Sequence, residues 1–256
     1  MTIRSAAPLG APCWVDLWTS DVEGSRIFYT ELFGWRADEP SPDFHGYFMF
    51  TRKGVAIAGG MGDMGEARAN NTWKPFFATE NIERTLELVS ALGGTVHLPA
   101  IPVDDLGIQA VVTDPAGAVT GIWQAGSFAG FTTLHEHGTP SFIAIDVHDY
   151  HQEVAFYRQV FGWDPLEEEV EGYHYAGYMD PENKRPIAGI GDEVESLANG
   201  ESPRWSVFWQ CVDVDASVAK VRELGGTVLT GATDQGLGRV ARVADPFGAR
   251  FGLFQP

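Results

Sequence analysis

The stretch PCWVDLWTSDVEGSRIFYTELFGW (12–35) decides the fold, because it returns without a gap as PSFIAIDVHDYHQEVAFYRQVFGW (140–163). Pro12/Pro140, Asp21/Asp149, Phe28/Phe156, Tyr29/Tyr157, Phe33/Phe161, Gly34/Gly162 and Trp35/Trp163 coincide. Agreement at bulky and turn-forming positions over such a length means a duplicated domain, and the period is far too long for a solenoid. Working outward, Trp73 answers Trp205, and Leu92-Gly93-Gly94-Thr95-Val96 answers Leu224-Gly225-Gly226-Thr227-Val228. TDPAGAVTGIWQ (113–124) then answers ADPFGARFGLFQ (244–255). These pairs set one domain at 8–125, a linker at 126–139 and a second domain at 140–256.

Within a half the hydrophobic period switches between strand and helix. Residues 14–19 alternate as a half-buried strand does. Asp21 is placed to cap a helix whose stripe is Ile27, Phe28, Leu32 and Phe33, and Gly34 ends it. Residues 46–60 read as two strands turning at Lys53-Gly54. The pattern restarts at Trp73 with a strand, a helix over Ile82–Leu92 stopped by Gly93-Gly94, and strands at 95–98, 110–113 and 119–124, the last two joined through Asp114-Pro115-Ala116-Gly117. Each half therefore carries two βαβββ units, and the chain is an α+β protein of four.

Composition narrows the class of function. The 256 residues are 44% hydrophobic, enough for a core in each half without staples. Cys13 and Cys211 stand far apart and outside any CxxC spacing, which suggests neither a disulfide framework nor a zinc site. A net charge of −18 disfavours nucleic acid through phosphate repulsion. The opening MTIRSAAPLGAPC lacks an apolar stretch of signal-peptide length, and no segment reaches membrane-spanning length. The expectation is a cytoplasmic protein, monomeric as an internal pseudo-dimer or a homodimer, with a small organic molecule as its partner.

The helix endings FYTELFGW and FYRQVFGW, the helix-Gly-Gly-Thr-Val junctions and Asp-Pro-x-Gly before each last strand resemble the vicinal oxygen chelate superfamily. That superfamily includes glyoxalase I, extradiol dioxygenases, and bleomycin- and fosfomycin-resistance proteins. The resemblance spans nearly the whole chain and implies curved mixed sheets enclosing two cups. It implies less about reaction, because the scaffold serves isomerases, lyases, dioxygenases and plain binders.

Metal-dependent members of that superfamily carry His, Gln or Glu on the first strand of a unit and Glu on the last. Counting back from Phe28 and Phe156 reaches Trp14 and Phe142; counting forward from Gly117 and Gly248 reaches Gly121 and Gly252. The corresponding first-strand positions of the second units are Lys74 and Ser206. None of these supplies a ligand set, so neither metal nor cofactor is expected. His135, His137, His148 and His151 lack a third ligand and read as solvated surface residues.

Strand alternation turns Trp14, Asp16 and Trp18 to one face, with Lys74 and Phe76 beside them and Trp123 from the last strand. The second half presents Phe142, Asp146, Phe208 and Arg250, and the segment Tyr173-His174-Tyr175, counterpart of His45-Gly46-Tyr47, lies at a cup rim. The aromatics and Lys74, Tyr175 and Arg250 are the candidate ligand-binding residues, and Asp16 and Asp146 the candidate acid–base groups. Gly121 and Gly252 read as places where a ligand approaches the backbone. The leading reading is a metal-free protein that binds an aromatic or heterocyclic molecule. The alternative is a metal-independent lyase or isomerase, or a hydroxylase or oxygenase of secondary metabolism. An interaction protein with vestigial cups is a third possibility.

Overall fold

The computed structural model describes residues 2–3, 5–62, 71–170, 172–181, 184–192 and 202–256. Of residues 180–185, where the second half is longer than the first, 182 and 183 lie outside these residues. In the first half, strands β2 (Pro12–Thr19), β3 (Arg36–Ala37), β4 (Phe48–Arg52), β5 (Val55–Gly62), β6 (Thr72–Ala78), β7 (Thr95–Val103), β8 (Gly107–Thr113) and β9 (Val119–Ala125) form one sheet. Its order is β3-β4-β5-β2-β6-β9-β8-β7. The second half repeats it with β11 (Pro140–Asp146), β12 (Leu166–Val170), β13 (Tyr173–Met179), β14 (Pro186–Gly191), β15 (Ser206–Gln210), β16 (Thr227–Gln235), β17 (Gly238–Ala244) and β18 (Arg250–Gln255). That sheet runs β12-β13-β14-β11-β15-β18-β17-β16. A short β1 (Thr2–Ile3) pairs with β10 (Thr133–Leu134) in the linker.

Each sheet is two βαβββ units placed side by side. The first strands of the units meet antiparallel at the centre, β2 on β6 and β11 on β15. Each first strand pairs in parallel with the last strand of its own unit, as β2 does with β5 and β6 with β9. The sheets are mixed and open, not closed barrels.

The helices are α1 (Val22–Phe33), α2 (Ile82–Ala91), α3 (Tyr150–Phe161) and α4 (Val214–Glu223). Asp21, Asn81, Asp149 and Asp213 each accept a bond from a backbone N–H three residues on, satisfying one of the amides a helix start leaves unpaired. Gly34 and Gly162 end α1 and α3 at φ 68° and 69°, a left-handed conformation that a Cβ disfavours.

One face of each sheet, with the helices, builds the seam between the halves. Trp73 meets Trp209 at 5.1 Å between centroids, Phe77 meets Tyr157 at 5.6 Å and Phe33 meets Phe251 at 6.2 Å. Burying an aromatic side chain of this kind stabilises by about 1.5–3 kcal/mol. Polar bonds across the seam come in matched pairs. Trp73 donates to the Tyr29 hydroxyl, which donates to Asp245 Oδ2 of the other half at 3.1 Å. Trp205, Tyr157 and Asp114 repeat the chain in reverse, the last bond at 3.0 Å. The remaining oxygen of each aspartate accepts N–H groups of its own Asp-Pro-x-Gly turn. The motif tyrosine and the motif aspartate therefore meet across the two halves.

The linker is packed, and this corrects the reading of His135 as a solvated residue. Its amide bonds Pro140, it is 6% exposed, and it lies beside Ser141 because residues 133–140 fold into the seam. His148 and His151 are exposed as expected. Among the described residues, no helix is long and apolar enough to cross a membrane.

Candidate functional site

The other face of the first sheet holds the polar chemistry. Cα register aligns Trp14 with Phe76 and Phe76 with Gly121; one row along, Asp16 lies between Lys74 and Gly59. Asp16 is 6% and Lys74 4% exposed, while Trp18 at 37% marks the open end of the row. The sequence-selected Trp14, Asp16, Trp18, Lys74 and Phe76 thus form one cluster.

Asp16 is anchored through one oxygen. Trp14 Nε1 donates to Oδ1 at 3.0 Å and the Tyr47 hydroxyl donates to the same atom at 2.8 Å. Oδ2 has no hydrogen-bond partner among the described residues. Tyr47 leaves the loop before β4 and lays its ring over Gly59, where a Cβ would come within 1.8 Å of the hydroxyl oxygen. Lys74 Nζ stands 4.5 Å from the centroid of Trp18 and 4.8 Å from that of Phe76. Among the described residues it has neither a hydrogen bond nor an ion pair.

Burial pushes the Asp16 carboxyl above its ordinary range, against the pull of Lys74, Tyr47 and Trp14. Burial also pushes the Lys74 amine down to about 8, partly offset by Asp16. Desolvation disfavours both charged forms, and the attraction between the two groups partly restores them. The Tyr47 hydroxyl is held well above its usual range by burial and by Asp16, and so remains a donor.

Gly121 and Gly252 do not open the backbone to a ligand, contrary to the sequence reading. A Cβ on Gly121 would meet Phe76 Cδ1 at 2.1 Å, and one on Gly252 would meet Phe208 Cδ1 at 2.0 Å. The missing side chain makes room for the neighbouring strand's ring. Trp123 lies at the edge of this face, donating Nε1–H to the Phe128 carbonyl at 2.8 Å, and the Phe128 ring stands edge-on to Trp14 at 4.9 Å. The linker therefore walls the first cup.

The second cup differs. Ala144 and Ser206 stand where the first half has Asp16 and Lys74. Phe142 stacks on Phe208 at 4.4 Å and meets Phe254 edge-on at 5.3 Å. Asp146 lies further along β11 and takes a bond from Arg242 at 3.3 Å, with Arg242 also above the Phe208 ring. Tyr175 lies across Gly189, its hydroxyl pushed up to about 12 by burial and nearby acids. Arg250 opens β18 opposite Ala244 and is half-buried. The second candidate set is thus divided between an aromatic stack and an ion pair.

Tyr47, Phe128 and Arg242 are the contacts that sequence patterning did not supply. Tyr47 was visible only as the rim counterpart of Tyr175, and nothing in the local pattern of Phe128 or Arg242 marks them. Between the halves a cavity of about 10 Å³, bounded by Pro12, Phe131, Leu134, Pro140, Phe142 and Ile187, has room for roughly one water and lies away from Asp16 and Lys74.

A metal does not fit the residues at the superfamily's ligand positions. The Trp14 indole N–H is a donor already engaged by Asp16 and Tyr47, Phe142 is in a ring stack, and Gly121 and Gly252 lie under phenyl rings. Among the described residues, no three His, Cys, Asp or Glu side chains converge as a ligand set.

Residues 13–121 match the Glyoxalase/Bleomycin resistance protein/Dioxygenase superfamily, and residues 142–254 match the glyoxalase-like domain. CFP32 of Mycobacterium tuberculosis, a protein provisionally named a glyoxylase, is 33% identical over 262 residues, covering 100% of this chain and 98% of that one. The anthracycline biosynthesis protein DnrV of Streptomyces peucetius is 30% identical over 264 residues, covering 96% of this chain and 93% of that one. The Mn(II)-bound glyoxalase from Novosphingobium aromaticivorans shares the fold at a TM-score of 0.66 and 14% identity, over 96% of this chain and 82% of that one. The chain belongs to the glyoxalase/bleomycin resistance/dioxygenase superfamily, as a member with two glyoxalase-like domains in tandem.

Proposed function

We propose that the chain binds a flat aromatic or heterocyclic molecule in its first cup, without a metal ion, through Lys74 and Asp16. The observation that carries this reading is the buried Lys74 side chain, its Nζ flanked by the Trp18 and Phe76 rings and with no hydrogen-bond or ion-pair partner among the described residues. Desolvation of the Lys74 ammonium is costly, and a ligand oxygen would offset it. The remaining Asp16 oxygen would accept from a ligand hydroxyl. Rings at Trp14, Trp18 and Phe76 favour a planar partner. DnrV is named for anthracycline biosynthesis, and the planar hydroxyquinone of anthracyclines presents this donor and acceptor pairing.

Titration with 1,4-dihydroxyanthraquinone, followed by quenching of tryptophan fluorescence, tests the reading. One saturable site is expected, weakened about tenfold or more by Lys74→Met and unaffected by Phe208→Leu. Absence of saturable quenching, or equal affinity in Lys74→Met, would overturn it. A chelator should leave affinity unchanged; loss restored by a divalent cation would overturn the metal-free part.

A further inference from the structure

We propose that Lys74 is a reactive amine that condenses with an aromatic aldehyde or ketone in the first cup to form an imine. This rests on the binding reading above and adds a covalent step to it. The chain has lysines at 53, 74, 184 and 220. Lys53 and Lys184 are exposed, and Lys220 is paired with Glu223 at 2.8 Å. Lys74 alone of these is buried, and its nitrogen is committed to no oxygen among the described residues.

Geometry places the other requirements nearby. Trp18 and Phe76 present ring faces to Nζ, and the same faces stabilise the cationic iminium that condensation produces. Trp18 marks the exposed end of the row, where a planar carbonyl compound can enter beside the amine. Asp16, the register partner of Lys74, keeps one oxygen without a hydrogen-bond partner among the described residues, placed to take a proton from the amine and return it for dehydration. With its amine near 8, Lys74 is unprotonated in about one molecule in ten at neutral pH, on the order of a few hundred times the fraction for an ordinary lysine.

The step balances without an oxidant or reductant. Lys74 Nζ attacks the carbonyl carbon, a C–N bond forms, and the carbonyl π electrons move to oxygen, which takes up a proton. The nitrogen gives a proton to the Asp16 carboxylate. Asp16 then returns a proton to the hydroxyl, the C–O bond breaks, water leaves, and the nitrogen lone pair closes C=N. The net change is amine, carbonyl and one proton, taken from solvent by the carbonyl oxygen, to the protonated imine and water.

The test incubates the full chain with 2-hydroxy-1-naphthaldehyde and sodium cyanoborohydride at neutral pH, then maps the reduced adduct by peptide mass spectrometry. Saturable binding of 2-naphthol, which lacks the aldehyde, is measured in parallel by tryptophan quenching. The expected result is one adduct per chain at Lys74, formed on the order of 100 times faster than at Lys53 or Lys184, absent in Lys74→Arg, and slowed by excess 2-naphthol. Saturable 2-naphthol binding with no adduct, or with adducts spread evenly over the exposed lysines, would overturn the imine and leave the binding reading standing. Failure of both 2-naphthol binding and Lys74 labelling would overturn both. A circular dichroism spectrum of Lys74→Arg matching wild type ties the lost adduct to the amine.

Discussion

The Tyr47 hydroxyl donates to Asp16 Oδ1 at 2.8 Å, joining a loop residue to the centre of the first sheet. The bond holds the carboxylate through one oxygen and leaves the other without a hydrogen-bond partner among the described residues, where the proposed ligand would bond. Tyr47→Phe is expected to cost about 1 kcal/mol in a urea melt. It should also raise the Asp16 pKa further, because the lost bond favours the ionised form. Carboxyl titration by NMR in both proteins checks the shift.

Lys74 illustrates a site that opposes stability. Its amine is lowered from 10.5 to about 8 in the folded chain, so folding releases a proton that the unfolded chain retains. The penalty is present at pH 7 and is relieved as pH rises from about 8 toward 10.5. Lys74→Met is expected to stabilise by on the order of 1–3 kcal/mol at pH 7 while weakening anthraquinone binding. Its gain over wild type should shrink across that alkaline window in denaturant melts.

Glu153 makes the opposite prediction. It is 1% exposed on α3 and faces Asp114; burial, then that neighbour, raises its carboxyl from 4.5 to about 9. The folded chain therefore holds a proton that the unfolded chain gives up above 4.5, and stability falls as pH climbs from there to about 9. The equivalent place in α1 is Ser25, which bonds Thr19 at 2.7 Å. Glu153→Gln should match wild type near pH 4 and exceed it at pH 8. A difference in melting temperature that does not change with pH would contradict the assignment.

The ring-over-glycine pairs predict steric coupling. Gly121→Ala should destabilise by about 1–3 kcal/mol, because its Cβ overlaps the Phe76 ring. Phe76→Leu combined with Gly121→Ala should lose less than the two single changes together. Melts of the four proteins give the coupling directly.

Much of this was legible in the chain because the duplication writes the fold twice. Asp21 and Asp149, Gly34 and Gly162, and the alternation through Trp14, Asp16 and Trp18 are local signals with local causes, and they placed both helix ends and the cup face. What escaped depends on contacts distant in sequence. Period-two alternation assigns Gly121 to a face but does not reveal that Phe76 covers it. Phe128 sits in a linker with no periodicity, and the second half's Arg242 has the apolar Val111 in the matching place of the first. His135 escaped for the same reason: only the packing of the halves buries it.

The crossed tyrosine–aspartate bonds have an evolutionary reading. A chain of one half could form the Tyr29–Asp245 contact only by borrowing the aspartate from another copy, and dilution would dissolve it. Tethering by the linker replaces that encounter with a local concentration of ~mM order. The pairing then no longer requires identical partners. Mutation in one half is free of a symmetry that a homodimer imposes at both sites simultaneously. Asp16 facing Lys74 in one cup, with Ala144 and Ser206 in the other, is the divergence such a release permits: one cup can change its chemistry while its twin keeps the pair assembled.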